Sequence, residues 1–138
     1  MVRTSLPIAA LLLAVSPAPA LAEACGAPAD WLTLSAEGNS PFQAALSVGA
    51  AIPKVGAPFD VELKVCSQDK QAADRLAVDA TMPSHKHGMN YQPQLTKAAD
   101  GHYKATGFLF HMPGIWQITV SVYSDGKPSH LSVDIDVP

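Results

Sequence analysis

Charged side chains are few in this 138-residue chain, and positive ones are fewest: 9 Lys and Arg stand against 12 Asp and Glu, for a formal net charge of −3. No basic stripe runs along it, which excludes the electrostatic footprint of a nucleic-acid binder. Cysteine is limited to Cys25 and Cys66. There is neither a C-x-x-C pair nor a lone thiol with a base beside it, so a catalytic cysteine is not expected. G-x-S-x-G, the P-loop and H-E-x-x-H are absent too, and with them common hydrolase, nucleotide-binding and zinc-protease signatures. Asp134 and Asp136 share a strand face but alternate with apolar residues, as a solvated face does. The chain is expected not to be an enzyme.

What is present begins with a leader. Arg3 supplies a short basic segment, Pro7 to Val15 an apolar one, and Ala20-Leu21-Ala22 a small-x-small cleavage pattern. Residues 1–22 therefore read as a signal peptide. The apolar run is shorter than the ~20 residues needed to span a bilayer and is broken by Pro17 and Pro19. No second run of membrane length follows. Loss of Arg3 changes the formal charge from −3 to −4. The residues just before Cys25 (Ala22, Glu23, Ala24) fit a lipidation signal poorly, so lipoprotein anchoring is not expected. An exported chain meets an oxidising compartment, the periplasm, where two cysteines pair. A Cys25–Cys66 disulfide is the expectation, and it leaves no thiolate for a blue-copper site.

After the leader, residues 23–41 are rich in Ala, Gly, Pro and Ser and show no period, as an extended arm would. From Phe42 the pattern alternates. Ala44, Leu46 and Val48 share one face of a strand expected over Phe42–Ile52. Phe59, Val61, Leu63 and Val65 alternate with Asp60, Glu62 and Lys64. Leu76, Val78 and Ala80 point inward from the next strand, over Leu76–Met82. Gln94–Lys97, Tyr103–Phe110, Ile115–Tyr123 and the run from Leu131 complete a set of about seven, with turns at Asp100-Gly101 and Asp125-Gly126. Helical periodicity is missing from all of it. The expected fold over 42–138 is all-β: an immunoglobulin-like Greek-key β-sandwich.

Chemistry concentrates in two connections. Pro83–Pro93 (PSHKHGMNYQP) is polar and bounded by prolines, which argues against a strand interior; it carries His85, His87 and Met89, with Met82 just before it. The corner before Ile115 carries His111 and Met112. In an antiparallel sandwich successive connections alternate between the two ends. Both stretches therefore belong to one pole, while His102 and His130 belong to the other. Spacing i, i+2, i+4 turns His85, His87 and Met89 to one side of an extended loop, about 6.6 Å apart, and Gly88 would let the backbone bend around an ion. Imidazole suits several transition metals, whereas thioether selects Cu(I). The expected ligands are His85, His87, Met89 and His111, with Met112 or Met82 as softer partners, and the expected metal is copper, Cu(I) in preference to Cu(II). A second reading needs no metal: the methionines plug the open end of the sandwich, His111 holds the corner, and the pole is a docking surface.

Three motifs in order, Thr81-Met82-Pro83-x-His85-x-His87-Gly88-Met89, Asp100-Gly101-x-Tyr103 and Phe110-x-Met112-Pro113-Gly114-x-Trp116, resemble the YtkA-like/FixH-like family of exported bacterial domains. The resemblance covers roughly Phe42 to Val137. It implies an immunoglobulin-like sandwich outside the cytoplasm and, for some members, a link to copper handling or cytochrome oxidase assembly. Together the expectations are a periplasmic copper carrier or buffer serving a copper-handling or oxidase-assembly protein, or a metal-free periplasmic interaction module.

Overall fold

The structure, a computed structural model, describes residues 25–138. The leader expected over 1–22 and its cleavage site lie outside the described residues. Among the described residues there are ten strands and no α-helix: β1 (Leu32–Thr33), β2 (Ser35–Ala36), β3 (Phe42–Ser47), β4 (Phe59–Ser67), β5 (Arg75–Met82), β6 (His87–Gly88), β7 (Gln94–Ala99), β8 (His102–Phe108), β9 (Gly114–Ser124) and β10 (Lys127–Val137). They form two antiparallel sheets, β1-β3-β4-β8-β7 and β2-β10-β9-β5-β6. Without the three two-residue strands, the seven long ones lettered A to G give the orders A-B-E-D and G-F-C. That is the strand order of an immunoglobulin constant-type sandwich.

Alternation builds the core as expected. Val61, Leu63 and Val65 of β4 are buried while Asp60, Glu62 and Lys64 are not. Trp116, Ile118, Val120 and Val122 of β9 are all fully buried, and Leu131, Ile135 and Val137 of the neighbouring β10 are buried beside them. Asp125 and Gly126 both adopt positive φ (49° and 71°), the left-handed pair a two-residue hairpin requires, and Ser124 then pairs with Lys127.

Three features differ from the sequence expectation. β3 ends at Ser47 rather than near Ile52: Gly49 turns the chain with φ 97°, and its N–H donates to Ser47 Oγ (3.2 Å). The arm is extended but also belongs to the sheets. β1 pairs with β3 and β2 with β10, so the arm crosses from one sheet to the other and buries Leu34 between. The Pro83–Pro93 stretch contains a strand, β6, zipped to the end of β5. The expected disulfide joins Cys25 to Cys66 of β4, with Cα atoms 5.4 Å apart. Its closure of 41 residues contributes about 4 kcal/mol in the chain-entropy account.

Candidate metal centre

Three connections gather at one pole: 48–58 between β3 and β4, the stretch from Pro83 to Pro93, and 109–113 between β8 and β9. Gly56 N–H donates to Phe110 O (2.8 Å) and ties the first to the third. The opposite pole carries 68–74, 100–101 and 125–126. Strand parity thus brings the His85–Met89 segment and the His111 corner to the same end.

The first segment is a tight hairpin rather than an open extended loop. The N–H groups of His85 and Lys86 both donate to Met82 O (3.1 and 2.9 Å), and Lys86 takes a positive φ of 56°. Pro83 opens this turn, where its fixed φ is an asset and its missing N–H costs nothing. Met82 then pairs with His87 and Thr81 with Gly88, and Met89 N–H donates to Ala80 O (3.2 Å). Directly paired residues share a face, so His87 follows buried Met82 to the inner side, and Met89 follows Ala80. His85 lies in the turn itself. Gly88 is not a bend around an ion. It lies in strand β6, where an added Cβ would stand 3.3 Å from Ala80 O.

The imidazoles still meet. Ring centres of His85 and His87 are 5.7 Å apart, and those of His87 and His111 are 5.2 Å apart. An ion bonded at ~2 Å to one nitrogen of each of two rings sets their centres about 5–6 Å apart. Both separations fall in that range, with His87 common to the two pairs. His87 Nδ1 lies 3.3 Å from Gly88 O. A carbonyl only accepts, so this contact puts the proton on Nδ1 and leaves the Nε2 lone pair available, as in metal-ligating histidines. His85 and His111 are exposed and His87 is half-buried, so the cluster opens to solvent on its outer side.

The methionines divide. Met89 and Met112 are half-buried and pack against the rim of the core. Met82 is 1% exposed and belongs to the core; its methyl stands 2.7 Å from where a Cβ on Gly114 would be. Gly114 has φ 124°, a backbone open to glycine and costly for other residues. The strand pattern contained the sign for Met82, which continues the inward series Leu76, Val78, Ala80.

Sequence reading placed Trp116 in the core but missed its neighbours. The indole is fully buried and stacks on Phe110 (4.6 Å, 15°), yet it also contacts His87 (5.9 Å) and His111 (5.3 Å) edgewise. Its Nε1–H donates to Met112 O (3.0 Å).

The remaining histidines are engaged elsewhere. His102 Nε2 meets Glu62 Oε2 at 2.6 Å beside Trp31, and His130 Nδ1 meets Ser121 Oγ at 2.9 Å. The Ser67 hydroxyl and the Gln71 N–H hold the Asp69 carboxyl low, and Asp60 raises Lys104. Among the described residues no group of three or more His, Cys, Asp or Glu is disposed to hold a metal ion. The imidazoles meet in pairs, while Met89, two residues from His87, and Met112, next to His111, pack against the core. No helix among the described residues is long and apolar enough to cross a membrane.

A family model described as YtkA-like matches residues 37–121, more than half of the chain. The chain belongs to the YtkA-like family. The matched span of this YtkA-like protein includes His85, His87, Met89, His111, Met112 and Trp116, so the whole cluster lies within it. No curated protein and no solved structure matches the chain.

Proposed function

We propose that this YtkA-like chain is an exported, periplasmic copper-binding protein that carries or buffers the ion without catalysing a reaction. The observation that supports it most is the row His85–His87–His111, with ring centres 5.7 and 5.2 Å apart, drawn from two separate connections. His87 is the shared ligand, His85 or His111 the second, and Met89 or Met112 the soft third; Met82 stays in the core. Two imidazoles and a thioether suit low-coordinate Cu(I) better than Zn²⁺, which favours four nitrogen, sulfur or carboxylate donors. Exposure of His85 and His111 permits a partner's ligand to enter as one of these leaves, the exchange by which a copper-handling or oxidase-assembly protein could take the ion. Export rests on the 1–22 leader pattern and agrees with the Cys25–Cys66 disulfide.

The test is anaerobic Cu(I) titration against a chromophoric chelator. Wild type should take one equivalent, and His87→Ala should lose affinity about 100-fold. Equal, poor binding by both would remove copper. The second reading would then stand: a metal-free periplasmic interaction module, favoured by the exposure of Ile52 (59%) and Tyr91 (58%) on connections at the same pole.

A further inference from the structure

We infer that Trp116 is a positioning residue for this pole, holding the His87 and His111 imidazoles at the separation that one bridging ion requires. The inference rests on the copper reading above and adds to it the device that preorganises the ligands. A buried indole stacked on Phe110 is ordinary core packing, and one side of Trp116 does only that. Its remaining contacts are of another kind. His87 arrives on β6 and His111 on the β8–β9 connection, and these two imidazoles stand at 68° and 77° to the indole plane. Edge-to-face contact at 5–6 Å is the favoured arrangement for aromatic rings. The Nε1–H to Met112 O bond pins the backbone one residue beyond His111. Imidazoles carried by two separate segments would otherwise sample several rotamers, the exposed His111 most of all, and ordering them on binding would cost affinity. Trp116 supplies that order before the ion arrives.

The chain contains two tryptophans, and Trp31 lies beside His102 rather than in the cluster, which gives an internal control. Cu(I) is supplied anaerobically as its acetonitrile complex to the full chain with its disulfide intact. In Trp31→Phe all indole emission comes from Trp116, and one equivalent of Cu(I) should quench more than half of it. In Trp116→Phe the Trp31 emission should stay constant, while Cu(I) affinity of the folded protein, read by chelator competition, falls about tenfold. A residue with a core role alone would lower the melting temperature and leave that affinity unchanged. Should Trp116→Phe fail to fold, the same affinity loss is read in the milder Trp116→Tyr. One equivalent bound with Trp116 emission unchanged, or unaltered affinity in folded Trp116→Phe, overturns the inference and leaves the copper reading in place. Wild type that takes up no Cu(I) overturns both.

Discussion

The two ends of the sandwich use histidine in opposite ways. Away from the candidate pole, His102 is tied to Glu62 and His130 to Ser121, each by a short bond that occupies a ring nitrogen. At the pole, His85 and His111 make no ring hydrogen bond among the described residues, and His87 spends only Nδ1, on Gly88 O. His87 instead meets both His85 and His111, and His87 and His111 also meet an indole. His102 and His130 each bond a side-chain partner that fixes the ring, whereas no ring nitrogen of the three pole histidines bonds a side chain among the described residues. The disulfide sharpens the contrast, because it braces the arm against the far end of β4 and has no part in the imidazole cluster.

That contrast can be attacked from several sides. The largest effect is expected from Cys25→Ser/Cys66→Ser, which should lower stability by about 4 kcal/mol in denaturant melts. Its Cu(I) affinity, measured on the folded protein, should match wild type; a parallel loss would mean that the two ends are not independent. Next comes His87→Ala, with the 100-fold affinity loss given above, about 2.8 kcal/mol, set against no loss in a His102→Ala/His130→Ala double variant. Gly114→Ala should cost about 1–3 kcal/mol, because its φ of 124° strains any Cβ-bearing residue. The steric part is smaller, since the atom in the way is the flexible end of Met82. His102→Ala removes a half-exposed pair with Glu62 and should change stability by less than about 1 kcal/mol. The smallest effect belongs to Asp69. Its carboxyl is held below its ordinary value of 3.8 by the Ser67 hydroxyl and the Gln71 N–H. The ionised form is favoured in the folded state, so its contribution is present above about pH 4 and is lost as pH falls through the lower folded value. Melts of Asp69→Asn and wild type should therefore differ at pH 6 and draw together as the pH falls through the lowered folded value.

Much of this was legible in the amino-acid order, for reasons that can be located. Long strands such as β4 and β9 carry enough alternating positions to fix their inward face. Strand parity then places the His85–Met89 segment and His111 at one end without any knowledge of distances. Two-residue strands carry no period, so β1, β2 and β6 could not be read, and Pro83 and Pro93 masked the last of them. The hairpin it forms decides that His87 and Met89 face inward while His85 sits in the turn. Parity also says that Trp116 is inside, but not what it touches. Its contacts with two imidazoles depend on how the 109–113 corner closes over the sheet, which is a tertiary fact.

The most direct test of the central claim reads all five imidazoles at once, by long-range ¹H–¹⁵N correlation spectra of the protein during anaerobic Cu(I) addition. The ring nitrogens of His87 and of at least one of His85 and His111 should shift and saturate together at one equivalent, while those of His102 and His130 hold their positions. Spectra in which the pole histidines stay still, or in which all five move alike, would contradict the account.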